Sequence, residues 1–296
     1  MKTLYLIDSS IYMFRSWHLL PETILTPQNQ AANALHGFAA FLLQVTEQAK
    51  PTHLVCAFDE CYEGSLRKQI YPLYKANRPP APENLRHQFA WCRELAGLLG
   101  FHCLGSPTHE ADDIIGTLAG QTREQHDRSV ILTADKDLTQ FIGPDDIYWD
   151  FSRKRQFSYR DIRKRWNLHP SQIADMLALA GDKSDNIPGV PGIGVHTAAR
   201  LLVKWGDIDN LYAHLGEVAD MKFRGAQRVA RLVAESREAV YLARRLTGLM
   251  PAAGLPQQTE DFRLQQPDFD ALGRFWEQTG LPAAHLQRWQ RAFAHL

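Results

Sequence analysis

Three carboxylates stand within four consecutive residues in the middle of the chain, at Glu110, Asp112 and Asp113. The apolar residues that follow recur at helical spacing, and the preceding segment is typical of a helix N-terminus, with Thr108 as the predicted cap. The positive end of a helix dipole stabilises one or two such acids, but three repel one another unless they share a cation. Taken alone, the segment fits a solvated helix start as well as it fits a metal site.

Other acids in the chain favour the metal site. Three short apolar stretches, which we interpret as buried strands, cover residues 3–7, 53–58 and 130–133 and run into Asp8, Asp59 and Asp135, respectively. Predicted helices between them cover residues 30–49, 83–99 and 110–124. This alternation predicts an α/β fold with a parallel, twisted sheet flanked by helices.

Ligands of such sheets bind at the carboxyl ends of the strands, which is where the aspartates lie. A fourth predicted strand, residues 101–104, leads into the helix with the three clustered acids and adds them to the same edge. Oxygen ligands without a cluster of histidines or cysteines favour Mg²⁺ or Mn²⁺ over zinc.

A second set of acids follows a predicted apolar helix over residues 173–179. Asp182 and Asp185 stand there and could complete a second metal site. The glycines that come next permit tight turns ahead of a helix beginning near Val195, and the backbone N–H groups of such turns bind phosphate. The pattern, which ends on the small Ala198, resembles the helix-hairpin-helix element that binds duplex DNA through its backbone.

Cations are distributed unevenly along the chain, although the net charge is zero. The predicted loop over residues 60–82 interleaves aromatic and basic side chains, a composition suited to single-stranded nucleic acid. Residues 151–170 contain seven Lys or Arg against one acid, Asp161. These seven are Arg153, Lys154, Arg155, Arg160, Arg163, Lys164 and Arg165. Both segments favour a nucleic-acid partner.

The overall composition is that of a globular protein of 296 residues, 45% of them hydrophobic. No apolar run suits a signal peptide or a membrane span, so we expect a cytoplasmic protein. Cys56, Cys61, Cys92 and Cys103 lack metal-ligand spacing, and we expect buried, reduced thiols. The predicted domains are residues 1–170, 171–250 and a helical tail over 251–296.

Several of these motifs together resemble the structure-specific 5′-nuclease family, which includes the flap endonucleases and the 5′-3′ exonuclease domain of bacterial DNA polymerase I. The resemblance covers about residues 1–250. Its markers are Asp8, Phe58-Asp59, the run from Tyr74 to Arg78, the run from Glu110 to Asp113, the run from Thr133 to Asp137, and the segment from Gly181 to Gly194. It implies a PIN-like nuclease fold with a helix-3-turn-helix subdomain and an arch-like loop over residues 60–82.

The resemblance also implies two metal sites. Asp8, Asp59, Glu110 and Asp112 would hold the first Mg²⁺ ion, and Asp135, Asp137, Asp182 and Asp185 the second, with Asp112 shared, Asp113 adjacent and Mn²⁺ able to substitute. Because side chains two apart on a helix face different directions, this assignment requires Glu110 to precede the first helical turn. A K⁺ ion at the hairpin is a further implication.

The expected function is Mg²⁺-dependent hydrolysis of DNA near free 5′ ends or flaps, with Lys75 and Arg78 in catalytic roles beside Asp8 and Asp135. The expected DNA-binding residues are Arg67, Lys68, Tyr74, Lys75, Arg78, Gly189, Val190, Gly192, Ile193, Gly194, His196 and Thr197. His196 stands where the family often has lysine, which could weaken one phosphate contact. We expect a monomer that works beside a separate DNA polymerase, without a membrane partner.

Two other functions remain open at this stage. One is a DNA-structure-binding module without activity, which the complete set of acids disfavours. The other is a PIN-like ribonuclease, which the hairpin and the loop disfavour.

Overall fold

The computed structural model describes residues 2–61 and 64–294. Six strands form one sheet: β1 (Thr3–Asp8), β2 (His53–Asp59), β3 (His102–Ser106), β4 (Arg128–Leu132), β5 (Ile147–Asp150) and β6 (Arg155–Ser158). Their order across the sheet is β3-β2-β1-β4-β5-β6. The parallel prediction holds for the first five strands, whereas β6 runs antiparallel to β5. The connection over residues 151–154 is a hairpin, which is too short for the crossover that a parallel pair requires.

The helices are α1 (Ser9–Leu19), α2 (Asn33–Ala49), α3 (Leu66–Ile70), α4 (Glu83–Leu98), α5 (Ala111–Gln121), α6 (Tyr159–Trp166), α7 (Ile173–Ala180), α8 (Val195–Trp205), α9 (Ile208–Ala213), α10 (Ala226–Glu235), α11 (Arg237–Thr247), α12 (Phe269–Thr279) and α13 (Ala283–Phe293). Short 3₁₀ helices cover Arg123–Gln125, Lys136–Phe141, Pro170–Gln172, Leu215–Val218 and Thr259–Phe262.

Helices cover both faces of the sheet, because successive side chains of a strand point to opposite faces. In β2, Leu54 and Cys56 belong to the core beneath α1, α2 and α4, whereas Val55 and Ala57 belong to the core beneath α5. All four are fully buried. Burial on both faces explains why the strands read as continuous apolar runs in the sequence.

Helix α5 begins at Ala111, so the prediction of Thr108 as its cap is wrong. The cap is Glu110, whose backbone is extended, with φ −79° and ψ 164°. Its N–H donates a hydrogen bond of 3.2 Å to Asp113 Oδ2, and this bond fixes the start of the helix directly after the first acid of the cluster. Glu110 therefore precedes the helix, as the family's ligand assignment requires.

The helices α7 to α11 form a second domain around a core of their own, which includes Leu179, Leu201 and Leu202. A tight turn links α7 to the hairpin. Gly181 has a φ of +79°, and a Cβ on Gly189 would lie 2.3 Å from the carbonyl carbon of Ala180. Both positions require glycine, so the turn explains part of the glycine pattern in the sequence.

The predicted C-terminal tail is part of the first domain's core. Helix α13 packs against α2, and α12 packs against α4. Trp289 is fully buried, with its ring 6.2 Å from that of Phe101. The segment before α12 passes the amino end of β2, where Leu264 N–H donates to Thr52 O at 2.9 Å. Residues 295 and 296 of the predicted tail lie outside the described residues.

The predicted loop over residues 60–82 is more ordered than an open arch, although its positions 62 and 63 lie outside the described residues. It contains α3 and a series of turns over residues 71–78. The turns are bound to the second domain: Lys75 N–H donates to Asp185 O at 2.9 Å, and Arg78 Nε donates to Ser184 O at 3.1 Å. This segment therefore connects the two domains.

The structure also bears on the predictions for the cysteines and for membrane spans. All four cysteines, which lie within the described ranges, are free thiols; three are buried and Cys103 is half-buried. Along residues 2–61 and 64–294, every helix is too short or too polar to span a bilayer.

Candidate metal centre and nucleic-acid interface

The carboxyl ends of the central strands hold their aspartates firmly. Asp8 is 5% exposed and its Oδ2 accepts a hydrogen bond from Thr133 Oγ1 at 2.8 Å. Asp59 Oδ1 accepts from the N–H of Ala111 at 2.8 Å, at the first residue of α5. The strand ends of β1 and β2 are thus tied to β4 and α5, which brings the predicted acids to one edge.

Burial and mutual repulsion of these acids outweigh the nearby positive charge of Lys75. Burial raises the pKa of Asp8 to about 7, and the nearby charge of Asp59 adds to that shift. Burial likewise raises the pKa of Asp112 well above its usual range, with further contributions from Asp135 and Asp8. The pKa of Asp59 is raised by burial and then by Glu110. Mutual repulsion of this kind favours the binding of a cation among the acids.

Asp112 is the acid that most clearly lacks a partner in the protein. Its side chain accepts no hydrogen bond from the described residues, although it is half-buried at the acidic edge. Within residues 2–61 and 64–294, no three His, Cys, Asp or Glu side chains lie close enough together to coordinate one metal ion. The acids can still raise one another's pKa values, because electrostatic repulsion acts over longer distances than metal coordination. A set of oxygen ligands with unbalanced charge fits Mg²⁺ or Mn²⁺.

The predicted second set of acids is bridged by a lysine. Lys136 Nζ lies 3.1 Å from Asp137 Oδ1 and 2.8 Å from Asp182 Oδ2. Burial raises the pKa of Asp137 to about 7, with Asp135 contributing. Burial also acts to raise the pKa of Asp182, but the hydrogen bonds from Lys136 and Ser184 outweigh it and lower that pKa to about 2.

A second lysine bridges the domains in the same way. Lys75 Nζ lies 2.8 Å from Glu110 Oε2 and 3.9 Å from Asp185 Oδ2. The hydroxyl of Tyr74 lies 3.0 Å and 2.9 Å from the same two carboxylates, and Arg78 also pairs with Asp185. Burial acts to raise the pKa of Glu110, but Lys75 and Arg67 outweigh it and lower that pKa. Lys75 is thus held at the acidic edge by Glu110.

Sequence analysis missed Lys136, although a signal was present. The residue stands between two predicted ligands in the run Asp135-Lys136-Asp137. A cation between two predicted ligands stands next to the predicted site in the sequence, although its second partner, Asp182, is 46 residues away.

Two predicted residues have a different role from the one expected. Arg67 is 6% exposed and Asp113 is 1% exposed, and they form a bidentate ion pair with N–O distances of 2.5 Å and 2.8 Å. Arg67 Nε also donates to Leu246 O at 2.8 Å, and Met250 N–H donates to Asp113 Oδ1 at 3.0 Å. Because these contacts occupy the guanidinium and the carboxylate, Arg67 is buried away from DNA, and Asp113 is paired with a cation of the protein.

The hairpin before α8 lies beside a cluster of arginines. A cavity of about 340 Å³ there is lined by Gly192, His196 and Thr197, together with Arg200, Arg224 and Arg228, which the sequence did not single out. In the first turn of α8, the N–H of Thr197 donates to Gly194 O at 3.0 Å, whereas the N–H groups of Val195 and His196 have no intrahelical acceptor. The side chains of Val190 and Ile193 are 2% and 4% exposed, so these predicted DNA-binding residues can contribute only backbone groups.

The basic segment over residues 151–170 borders the acidic edge. A cavity of about 380 Å³ there is lined at one end by Asp135 and Lys136 and at the other by Arg153, Arg155 and Arg165. The guanidinium of Arg165 stacks over the ring of Trp166 at 5.3 Å. Lys68 is half-buried on α3. Part of the positive charge that composition indicated therefore lies beside the acids, whereas Arg160, Arg163 and Lys164 line a different cavity.

Two family models match the chain. One, described as the N-terminal, resolvase-like domain of 5′-3′ exonuclease, matches residues 3–167. The other, described as the C-terminal SAM fold of 5′-3′ exonuclease, matches residues 168–270. Together they cover residues 3–270, which include all six strands and the helices α1 to α11.

Individual proteins agree with this match. The chain is 34% identical to a DNA polymerase I of Mycobacterium bovis over 285 residues, 93% of this chain and 30% of that protein. It is 32% identical to a 5′-3′ exonuclease of Aquifex aeolicus over 92% of this chain and 90% of that protein. Its fold matches the bacteriophage T5 flap endonuclease in a pseudo-enzyme-product complex with DNA and metal ions, with a TM-score of 0.66 and 19% identity over 83% of this chain and 89% of that one.

Proposed function

Because the chain belongs to the 5′-3′ exonuclease family, we propose that it is a divalent-metal-dependent nuclease that hydrolyses DNA near free 5′ ends and flaps. The chain spans about a third of the length of the DNA polymerase I relatives that it matches and nearly all of the exonuclease from Aquifex.

The observation that carries the proposal is the set of acids at the carboxyl ends of β1, β2 and β4, of which Asp8 is buried and Asp59 and Asp135 are half-buried. We assign one divalent ion to Asp8, Asp59, Glu110 and Asp112, and a second to Asp135, Asp137, Asp182 and Asp185, with Asp112 near both. Mg²⁺ suits these oxygen ligands, and Mn²⁺ would substitute. Such ions supply Lewis-acid stabilisation of the negative charge that develops on a phosphodiester during hydrolysis.

The chain's own cations would act on the same charge. Lys75 is held at the edge by Glu110, and its ammonium can donate to a phosphate oxygen that approaches the acids. Arg78, with a side chain 47% exposed, can reach a phosphate farther from the edge. Both residues belong to the segment that joins the two domains, so the position of a bound strand would affect both.

The hairpin would hold the duplex part of the substrate through its backbone phosphates. Free N–H groups at the start of α8 and the neighbouring Arg200, Arg224 and Arg228 supply the donors. Such contacts position DNA without reading its sequence. We also propose a K⁺ ion held by carbonyl groups of this turn, as the family suggests.

Three further proposals concern the setting. We place the protein in the cytoplasm, as a monomer acting on DNA with a separate DNA polymerase. The support is that a relative of similar length exists as a separate exonuclease, whereas other relatives have a polymerase in the same chain.

The proposal is tested with a 5′-labelled flap substrate, compared with nicked and blunt duplexes. We expect cleavage with Mg²⁺ or Mn²⁺, none with a chelator, and none by Asp8→Ala or Asp135→Ala, whose DNA affinity stays near that of the wild type. Asp145→Ala, which removes an exposed aspartate, is the matched control. Undiminished cleavage by either variant contradicts the two-ion assignment. Binding without cleavage by the wild type would indicate a binding module, and cleavage of RNA alone a ribonuclease.

A further inference from the structure

The ion pairs of Lys136 place an ammonium group between two acids that belong to different domains. Asp137 stands in the 3₁₀ helix after β4, and Asp182 follows α7. Lys136 Nζ lies within 3.1 Å of one oxygen of each. In the described part of the chain, this nitrogen is the cation at the predicted position of the second divalent ion.

We propose that Lys136 is a tethered competitor of that ion, which must displace the ammonium to bind, and that Lys136 thereby sets the ion's affinity. This inference rests on the proposed function, since it concerns the second of the two assigned ions. It adds a role for a residue that is not itself a metal ligand.

Distance is the first argument. A Mg²⁺ or Mn²⁺ ion that shares Asp137 and Asp182 would approach their oxygens to roughly 2 Å. An ammonium at 2.8 Å and 3.1 Å from one oxygen of each acid occupies the same space. The two cations therefore cannot be accommodated at once without movement of the lysine.

Mobility and charge are the second argument. The Lys136 side chain is 46% exposed and unbranched, so it can turn toward solvent without disturbing a core. Asp182 is 6% exposed and also accepts two hydrogen bonds from Ser184, so the acid stays in place when the lysine leaves. Until an ion arrives, the ammonium offsets the repulsion between Asp135, Asp137 and Asp182.

Lys75 differs from Lys136 in a way that limits the inference. Its side chain is 23% exposed, and its backbone N–H is bound to Asp185 O. That lysine is held in place by its segment, whereas Lys136 has a free path to solvent. Among the described residues, Arg78 pairs with Asp185 but with no other assigned ligand, and its Nε also donates to Ser184 O. We therefore assign the competing role to Lys136, which bridges two assigned ligands.

The test is a titration of the whole, DNA-free protein with Mn²⁺, in which the electron paramagnetic resonance signal reports the free ion. We expect two classes of bound ion in the wild type at low ionic strength. Lys136→Met should tighten the weaker class about thirtyfold, the effect of removing one unit charge about 4 Å from a divalent ion in a solvent-like dielectric. The tighter class should change by a clearly smaller factor, because the removed charge lies farther from it.

Lys183→Met is the matched control, because it removes an equal charge from the residue next to Asp182 without breaking the bridge. Its affinities should stay near the wild-type values. Lys136→Gln keeps a hydrogen-bonding side chain without the charge and should reproduce the tightening. It decides the question if the methionine variant fails to fold, as judged by circular dichroism.

Each other outcome contradicts the inference in a distinguishable way. Unchanged or weaker binding by both Lys136 variants, with two ions bound by the wild type, would overturn the competitor role and leave the proposed function intact. Equal tightening by Lys183→Met would show that the affinity depends on the net charge near the site and not on the Lys136 bridge. A wild type that binds no Mn²⁺ would overturn the metal assignment and the inference with it.

Discussion

At the scale of single residues, the buried pair of Arg67 and Asp113 shows how one contact changes two assignments. The guanidinium lies between α3, the start of α5 and the end of α11, with donors directed at Asp113, Leu246 O and Gly248 O. It also lies 3.8 Å from Glu110, so it orients the residue that caps α5. The charge of Arg67 therefore stabilises the contact between the two domains.

We expect Arg67→Met to lower the free energy of unfolding by about 3–5 kcal/mol, because it leaves the Asp113 carboxylate buried without its cation. Asp113→Leu should cost about as much, and the double variant should lose clearly less than the sum. Urea denaturation of the three variants measures this. Wild-type stability together with weaker DNA binding in Arg67→Met would restore the original prediction of a DNA contact.

Lys75 is the residue for which we expect the largest effect on rate. Lys75→Ala should lower single-turnover cleavage of a 5′ flap by a factor on the order of 10²–10³, the range for one preorganised charge. Equilibrium binding should change little, because Lys75 contributes one contact among many. Arg78→Ala should have a smaller effect, since its side chain is more exposed. Normal cleavage at saturation with weakened binding would make this segment a binding surface.

At the scale of elements, the hairpin before α8 depends on one backbone conformation. Gly192 has a φ of +84°, in the left-handed region that a β-branched residue adopts only with strain. The turn then presents the N–H groups of the helix start, whose N-cap is Gly194. A change in the turn therefore alters the phosphate contacts without touching the acidic edge.

Gly192→Val should weaken binding to duplexes of unrelated sequence by similar factors, because the hairpin contacts the DNA backbone. Fluorescence anisotropy with three such duplexes at two salt concentrations measures the effect. Gly216→Val is the control: that glycine has no heavy atom within 4 Å of an added Cβ and does not belong to the hairpin. A loss confined to one sequence would show that the hairpin reads bases.

At the scale of the whole molecule, the C-terminal helices complete the core of the first domain. Trp289 and Phe293 stack with ring centroids 5.5 Å apart and cover Phe101 at the start of β3. The chain thus begins and ends in the same core, with the second domain inserted between. This arrangement fixes the sheet whose edge carries the acids.

Trp289→Ala should lower the free energy of unfolding by about 3–5 kcal/mol, the range for deleting a large buried aromatic side chain. We expect the urea transition of the whole first domain to shift, as followed by circular dichroism. Gln290→Ala, an exposed neighbour on α13, should leave it in place. An early, separate transition for the tail with an unchanged main transition would show that the tail is an independent unit.

The sequence by itself determined four of the six strands, the helices between them and the position of the acids, whereas β5 and the antiparallel β6 were not predicted. Asp8 and Asp59 end neighbouring parallel strands. Because parallel strands run in the same direction, their carboxyl ends lie at one edge of the sheet, independently of how the rest of the chain packs. The glycine pattern before α8 likewise encodes a local turn. These features depend on neighbours in the sequence, so a pattern can show them.

Only the tertiary structure decided which charges meet. Arg67 and Asp113 are 46 residues apart in sequence, as are Lys136 and Asp182, and no local periodicity relates the members of either pair. The packing of Trp289 on Phe101 spans a still longer separation. A charged residue in a loop carries no sequence signal for burial, because its partner is chosen by how the domains pack. The edge was therefore predictable from the sequence, whereas the partners that hold and oppose its charge were not.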